Sequence, residues 1–309
     1  MPTQTDTLDR LAPGSRIAIV RLRSLGDCVL TTPAIQILQQ ARPDLHIAVV
    51  VEDRFAAVFE NSSLEVLPAR LAPLREFAPD LCLNFHGGTR SARLTLLSRA
   101  HLRAGFDIFR PAWIYNTPIP TAQETLGITR RVHTAEHMAS AMFYLGAPIT
   151  WVPRALIRTA PGRSGYAPDR GYAVIHPFAA TPEKTWPSQS FLELAAYLEK
   201  SGLEPVFIGG MADDFTPFRK WRTVENVPLS EIILLTRDAE FFAGNDSGPA
   251  HVAAAFGIPQ VVMFGPSDVE VWAPWRNLGK VLKAEGPIAG IPVEMAIRAV
   301  ERVRMVAAQ

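Results

Sequence analysis

In the run FFAGNDSGPAHVAAAFGIPQVVMFGPSD, residues 241–268, Asp246, Ser247, Gly248 and His251 stand where a buried strand hands over to a small-residue helix. Asp246 is an acceptor suited to a hydroxyl. Ser247, Gly248 and Ala250 offer backbone N–H groups at a helix start, where Pro249 sacrifices no needed donor. Small residues let a phosphate approach the backbone, and the helix end supplies a positive field. His251 in the first turn adds a further donor. A merely well-capped helix needs fewer of these features, so the stretch reads best as a diphosphate site.

Two other turns carry chemistry-bearing residues. RLRSLGDCVLTTPA, residues 21–34, fills the first strand-to-helix turn, where a dinucleotide fold would show G-x-G-x-x-G; only Gly26 is there, which removes the main support for a dehydrogenase. Asp27 reads two ways: a first-turn acid favoured by the helix dipole, or a general base at the mouth of a cleft. HPFAATPEKTWPSQSF, residues 176–191, holds Lys184, the first lysine of the chain. It is either a solvated loop cation or a phosphate holder. Every earlier cationic side chain apart from histidine is arginine, including Arg21, Arg23, Arg90 and Arg93. Codon bias accounts for that pattern, yet arginine is also the side chain best shaped to grip phosphate or carboxylate.

The elements that must position these residues follow from the hydrophobic pattern. The chain has 309 residues, 48% hydrophobic and 20% charged, with a formal net charge of +1. That is enough chain for two domains, too apolar for long-range disorder, and too neutral for bulk electrostatic capture of nucleic acid. Cys28 and Cys82 provide no disulfide framework or metal-ligand spacing and are expected as buried free thiols in a reducing compartment. The polar N-terminus lacks a signal-peptide layout, and no run approaches 18 uninterrupted apolar residues, so a cytoplasmic protein is expected.

Short apolar runs at 16–22, 46–51, 80–85 and 103–107, the first β-branched and continuous as in a strand buried on both faces, alternate with helical spacing, as in βαβ units. Between 147 and 170 prolines replace the pattern, as in an interdomain linker. Alternation then resumes with strands at 172–177, EPVFIGG, AEFFAGND and PQVVMFGP, and ends in an amphipathic segment, PVEMAIRAVERVRMVA. The expected fold is α/β, two Rossmann-like doubly wound domains spanning 1–150 and 151–309. Ligands of such sheets bind beyond the carboxyl ends of the strands, and two facing domains would set the site in the cleft between them.

RIAIVRLRSLGDCVLTTPAIQ, DLCLNFHGGTRSARL, HPFAATPEKTWPSQSF and the 241–268 run occur in the order and at about the spacing of the bacterial heptosyltransferases, glycosyltransferase family 9. The chain resembles that family over nearly its whole length. The resemblance implies a GT-B fold, with the acceptor on the N-terminal domain and the donor on the C-terminal one. It implies inverting transfer of a heptose from ADP-heptose to the lipopolysaccharide inner core. Asp27 matches the proposed base and Lys184 the lysine that stabilises the departing phosphates. Asp246, Ser247, Gly248 and His251 match the donor loop, and Asp213 an acidic position touching the nucleotide-sugar. Arg21, Arg23, His86, Arg90 and Arg93 would meet anions of the acceptor, or else form a solvated face. No cofactor is required on this reading: lysine and helix dipole neutralise phosphate, and a divalent cation such as Mg is at most a stimulant. A lipid-linked oligosaccharide acceptor implies peripheral contact with the cytoplasmic face of the inner membrane, for which RPAWIYN, residues 110–116, is the aromatic-basic candidate; a core strand explains it nearly as well.

The chain departs from the family in two places. Ala179 and Ala180 stand where some relatives carry donor-touching hydroxyls, with Thr181 as a substitute, and the region 211–240 is compressed. Rival readings are another nucleotide-sugar or acceptor glycan on the same fold, a nucleotide-sugar epimerase, and a non-catalytic glycan-binding relative. The epimerase needs acid/base groups on both sides of the sugar, whereas one clear carboxylate is found. The non-catalytic reading predicts loss of Asp27 or Lys184, and both are present.

Overall fold

A computed structural model describes residues 4–307 and divides the chain into two compact units between Arg158 and Thr159. The division falls within the proline-rich stretch 147–170, beyond the 150/151 boundary read from the sequence. In the first unit the chain runs β1 (Arg16–Val20), α1 (Leu25–Ala41), β2 (His46–Val51), β3 (Glu65–Pro68), α2 (Leu71–Phe77), β4 (Leu81–Asn84), α3 (Thr89–Leu97), β5 (Leu102–Phe106), β6 (Thr117–Ile119), α4 (Ala122–Leu126) and α5 (Thr134–Leu145). Its six strands pair in parallel in the order β3-β2-β1-β4-β5-β6.

The second unit runs β7 (Tyr172–His176), α6 (Ser188–Lys200), β8 (Glu204–Gly209), β9 (Arg222–Glu225), α7 (Leu229–Arg237), β10 (Phe241–Asn245), α8 (Gly248–Phe256), β11 (Gln260–Phe264), α9 (Val269–Trp272), β12 (Gly279–Lys283) and α10 (Val293–Ala307). Its order, β12-β11-β10-β7-β8-β9, again all parallel, is that of the first unit with each strand in its corresponding place. Both are Rossmann sheets, and each has one switch point, between its first and fourth strands.

Burial explains why these segments are strands. Ile17–Val20, Ala48–Val51, Leu81–Leu83 and Phe241–Ala243 are buried throughout, so β-branched and aromatic side chains pack on both faces. α6 covers its sheet with one stripe, burying Phe191, Leu194, Ala195 and Leu198, a helical spacing in which each large apolar side chain contributes about 1.5–3 kcal/mol, whereas α1 and α5 are buried nearly all round. Cys28 and Cys82 are buried free thiols, as expected, and burial pushes their pKa values up to about 12 and about 11. Among the described residues no helix is long and apolar enough to cross a membrane. In RPAWIYN, Trp113 is 70% exposed on a single helical turn, Ala112–Ile114, while Ile114 and Tyr115 turn inward; the strand β6 begins only at Thr117.

Candidate functional site

The second unit's switch point gathers the residues of two sequence-distant loops. Lys184 follows β7 and Asp246 follows β10; because these strands are neighbours, Nζ of Lys184 lies 3.1 Å from Oδ2 of Asp246. The Lys184 side chain is 34% exposed and that of Asp246 only 9%, so the acid is fixed and the ammonium faces outward. Asn245, fully buried at the end of β10, ties the loops together: its Nδ2 donates to the Pro177 carbonyl at 2.8 Å, and its Oδ1 accepts from the Trp186 N–H at 3.0 Å. Trp186 is itself fully buried, donates Nε1–H to the Ile291 carbonyl at 2.9 Å and packs edge-on against Phe191. Lys184 therefore sits two residues from a rigid anchor.

A second constraint comes from Gly265, just after β11. A Cβ there would lie 2.2 Å from the Glu183 carbonyl oxygen and 3.3 Å from Cα of Lys184. Only glycine lets the Lys184 loop lie this close. Ser247, the N-cap of α8, donates its single hydroxyl proton to the Asn245 carbonyl at 3.1 Å and so must accept at its 2.9 Å contact with Nδ1 of His176. That places the imidazole proton on Nδ1 and leaves Nε2 as an acceptor. Burial lowers the His176 pKa to about 4, keeping the ring neutral. His251 lies buried in the first turn of α8. Thr181 holds a buried Oγ1 with no hydrogen-bond partner among the described residues. Asp213 lies beyond β8, where its Oδ2 accepts from the Gly210 N–H at 2.7 Å and crowds Gly209 against Phe178.

The first unit repeats the arrangement with different chemistry. Ser24 and Asp27 form a capping box at the start of α1, Asp27 Oδ2 accepting from the Ser24 N–H at 3.2 Å and from its hydroxyl at 3.0 Å. The capping geometry is thus real, and the other oxygen of Asp27 stays 3.7 Å from the Arg21 guanidinium. The following Thr-Thr-Pro is a structural device. Pro33 has no N–H for the Val29 carbonyl four residues back, and the Thr32 hydroxyl donates to that carbonyl instead, at 2.8 Å. Asn84, fully buried at the end of β4, occupies the place that Asn245 has in the other unit. It accepts from the N–H groups of His86 and Gly87 and donates to Ser91 and Tyr115.

The arginines expected to face an acceptor separate on inspection. Arg21 is 4% exposed and committed inward, donating Nε–H to Thr31 Oγ1 at 3.1 Å and Nη2–H to the Met138 sulfur at 3.0 Å. Its guanidinium is thus engaged from α1 and α5 and lies 3.7 Å from the Asp27 carboxylate. Arg23 is exposed. Arg90 donates to Glu52 and to the Ala69 carbonyl, each at 2.9 Å. Arg93 is exposed and shares a pocket of about 350 Å³ with Arg70 and Arg90. His86 stands beside Arg21, Arg23 and Asp27; burial first, and the Arg21 charge second, hold its pKa below the usual value. Its Nδ1 is buried with no hydrogen-bond partner among the described residues.

Sequence reading missed His176, Asn245, Asn84 and Gly265. The signal for the two asparagines was available, since each closes the fourth strand of its unit just before a Gly-containing turn: LCLN-FHGG and FAGN-DSGP. Among the described residues no group of three or more His, Cys, Asp or Glu side chains is arranged to hold a metal ion. The two switch points can therefore offer a carboxylate in one unit and, in the other, a cation over a glycine-lined helix start.

Comparison with known proteins agrees with this architecture. A family model described as Glycosyltransferase family 9 (heptosyltransferase) matches residues 72–288. The chain is 24% identical over 292 residues to Lipopolysaccharide heptosyltransferase 3 of Escherichia coli K12, covering 83% of this chain and 84% of that one. Among solved structures, the glycosyl transferase family 9 protein from Veillonella parvula superposes with a TM-score of 0.82 at 22% identity, covering 94% of this chain and 97% of its own. E. coli ADP-heptose lps heptosyltransferase II gives a TM-score of 0.76 at 18% identity, with 95% and 100% covered. These structural likenesses speak for the fold, and the family match for the chemistry. Two Rossmann units of identical strand order, a lysine–aspartate pair at a helix start and a match over most of the sequence converge: the chain belongs to glycosyltransferase family 9, the heptosyltransferase family, and is a glycosyltransferase of GT-B fold.

Proposed function

We propose that the protein transfers a heptose from ADP-heptose to a lipopolysaccharide inner-core acceptor with inversion at the anomeric carbon. The observation that carries this reading is the meeting of Lys184 with Asp246 beside the N-terminus of α8, above the close-approach glycine Gly265. A diphosphate there would meet an ammonium, backbone N–H groups and a positive helix end, and the unpaired Thr181 hydroxyl is a further donor within the same loop. The relatives' names, which specify ADP-heptose and lipopolysaccharide, support the identities of donor and acceptor.

The chemistry needs one base and one stabilised leaving group. The acceptor oxygen attacks the anomeric carbon while its proton passes to the Asp27 carboxylate. The bond from that carbon to the phosphate oxygen breaks, its electron pair leaves with ADP, and Lys184 with the α8 terminus neutralises the departing charge. Asp246 and Asp213 hold hydroxyls of the nucleotide-sugar. Arg23, Arg90 and Arg93, with His86, receive the acceptor's anionic groups, and Arg21 supports Asp27 from below. A divalent cation is optional. The lipid-linked acceptor places the reaction at the cytoplasmic face of the inner membrane.

Calorimetric titration of ADP, UDP and GDP into wild type and Lys184→Ala tests the donor. Selective ADP binding, weakened about tenfold to a hundredfold in the variant, is the expected result, followed by turnover of ADP-heptose with inverted product stereochemistry by NMR. Selective UDP or GDP binding would overturn the donor, and a retained anomeric configuration would overturn the mechanism.

A further inference from the structure

The C-terminal helix has a second face that its own unit does not use. Ala296, Ala299, Val300 and Val303 pack α10 onto the core of the second unit. Met295, Arg298, Arg302, Met305 and Val306 follow one another at helical spacing on the outside and are exposed. Between this face and the edge strand β12 runs a groove of about 600 Å³ with Ala299 and Val303 in its floor. Its rim alternates apolar Leu278, Met295 and Val306 with cationic Lys280, Arg298 and Arg302. Among the described residues no acidic side chain lines it. Glu301, on the same helix, faces away and accepts from the Tyr197 hydroxyl.

Both features ask for the same partner. Three cations without an ion-pair or hydrogen-bond partner among the described residues call for anions, and projecting methionine and aliphatic side chains call for an apolar phase. A soluble acidic ligand answers the charges and leaves the apolar rim in water. An anionic bilayer surface answers both: basic side chains meet lipid phosphates at the headgroup level while neighbouring apolar side chains sink into the acyl boundary. We infer that the α10–β12 groove is a docking surface for anionic phospholipid, and that Arg298, Arg302 and Lys280 read the headgroup charge. This surface belongs to the second unit, whereas the RPAWIYN segment that the sequence offered for membrane contact belongs to the first. The inference needs neither the proposed donor nor turnover, so it is tested without either.

The full chain is sedimented with vesicles of phosphatidylcholine alone and of phosphatidylcholine with phosphatidylglycerol, at low and raised salt. Wild type is expected to bind the anionic vesicles at least tenfold better than the neutral ones and to release as salt rises. Arg298→Glu with Arg302→Glu should cut that binding by on the order of tenfold or more, and Met295→Ser with Val306→Ser should cut it without altering salt dependence. Arg10→Glu with Lys220→Glu, the same charge change at exposed sites elsewhere, should leave most of it. Thermal melts and circular dichroism matching wild type show that the variants fold. Equal binding to both vesicle types, or equal loss in the remote-charge variant, would overturn the inference. So would a dimer in light scattering that the groove substitutions dissolve, because a second copy would then cover this face.

Discussion

Gly265→Ala isolates the effect of the backbone approach that sets Lys184. The added methyl would sit 2.2 Å from the Glu183 carbonyl oxygen and 3.2 Å from the carbonyl carbon, where real side chains do not come within 3.0 Å. Gly265 does not adopt a left-handed conformation, so alanine meets no backbone penalty and the contact alone is tested. The two segments must part by about 1 Å, and a misplacement of that size at a positioning group costs on the order of 10²-fold in rate. Overpacking of this kind also destabilises by about 1–3 kcal/mol. Trp186 and Asn245 hold the far side of the loop, so the displacement falls on Glu183 and Lys184. The assays are ADP affinity by calorimetry, kcat with the nucleotide-sugar, and a thermal melt. Gly286→Ala, which opens into empty space, is the control. Wild-type ADP affinity and turnover in Gly265→Ala would refute the claim that loop position governs the site.

Further outcomes follow from other contacts. Asp27→Asn should lower kcat on the order of 10² to 10⁴-fold with little change in donor KM; a residue that only caps α1 would instead lower the melting temperature slightly and leave kcat intact. Asn245→Ala strips partners from a buried N–H and a buried carbonyl, costing about 2–4 kcal/mol by urea denaturation, and Asn84→Ala should destabilise the other unit similarly. Stability should fall between about pH 6.5 and pH 4. Burial depresses the pKa values of His137 and His176 to about 4, so the fold excludes protons that the unfolded chain accepts below about 6.5. Their contribution is complete above that pH and lost on acidification toward 4, a few kcal/mol in all; a urea midpoint unchanged from pH 7.5 to pH 5 would contradict this.

Much of the fold was legible because its central strands carry continuous β-branched runs: HIAVVV forms β2 residue for residue, and the runs opening at Arg16 and Tyr172 form β1 and β7. The outer strands β3, β6, β9 and β12 were not read, since three to five half-exposed residues such as Glu65–Pro68 hold no alternation that a turn lacks. The helix α5 also escaped, although His133 and Glu136 box its start. At the site, residue types were readable and partnerships were not. Nothing in the linear chain says that Lys184 lies over Asp246, because that depends on β7 pairing with β10. Nor does it say that Arg21 turns inward, which is settled by Thr31 and Met138 approaching from α1 and α5.

The strand order carries a kinetic consequence. Every pairing in both sheets is parallel, so among the described residues no hairpin exists to nucleate either one locally. Within each unit the most remote partners in sequence are the strands that flank the switch point, Ile17 with Leu81 and Ala173 with Phe241. Loop-closure entropy makes those the costliest contacts to form from an open chain. The loops that carry Lys184 and Asp246 in one unit, and Asp27 and His86 in the other, therefore hang from the joint that each half of the polypeptide finds slowest to make, and nascent chains spend their longest exposed interval with just these apolar strand edges unpaired.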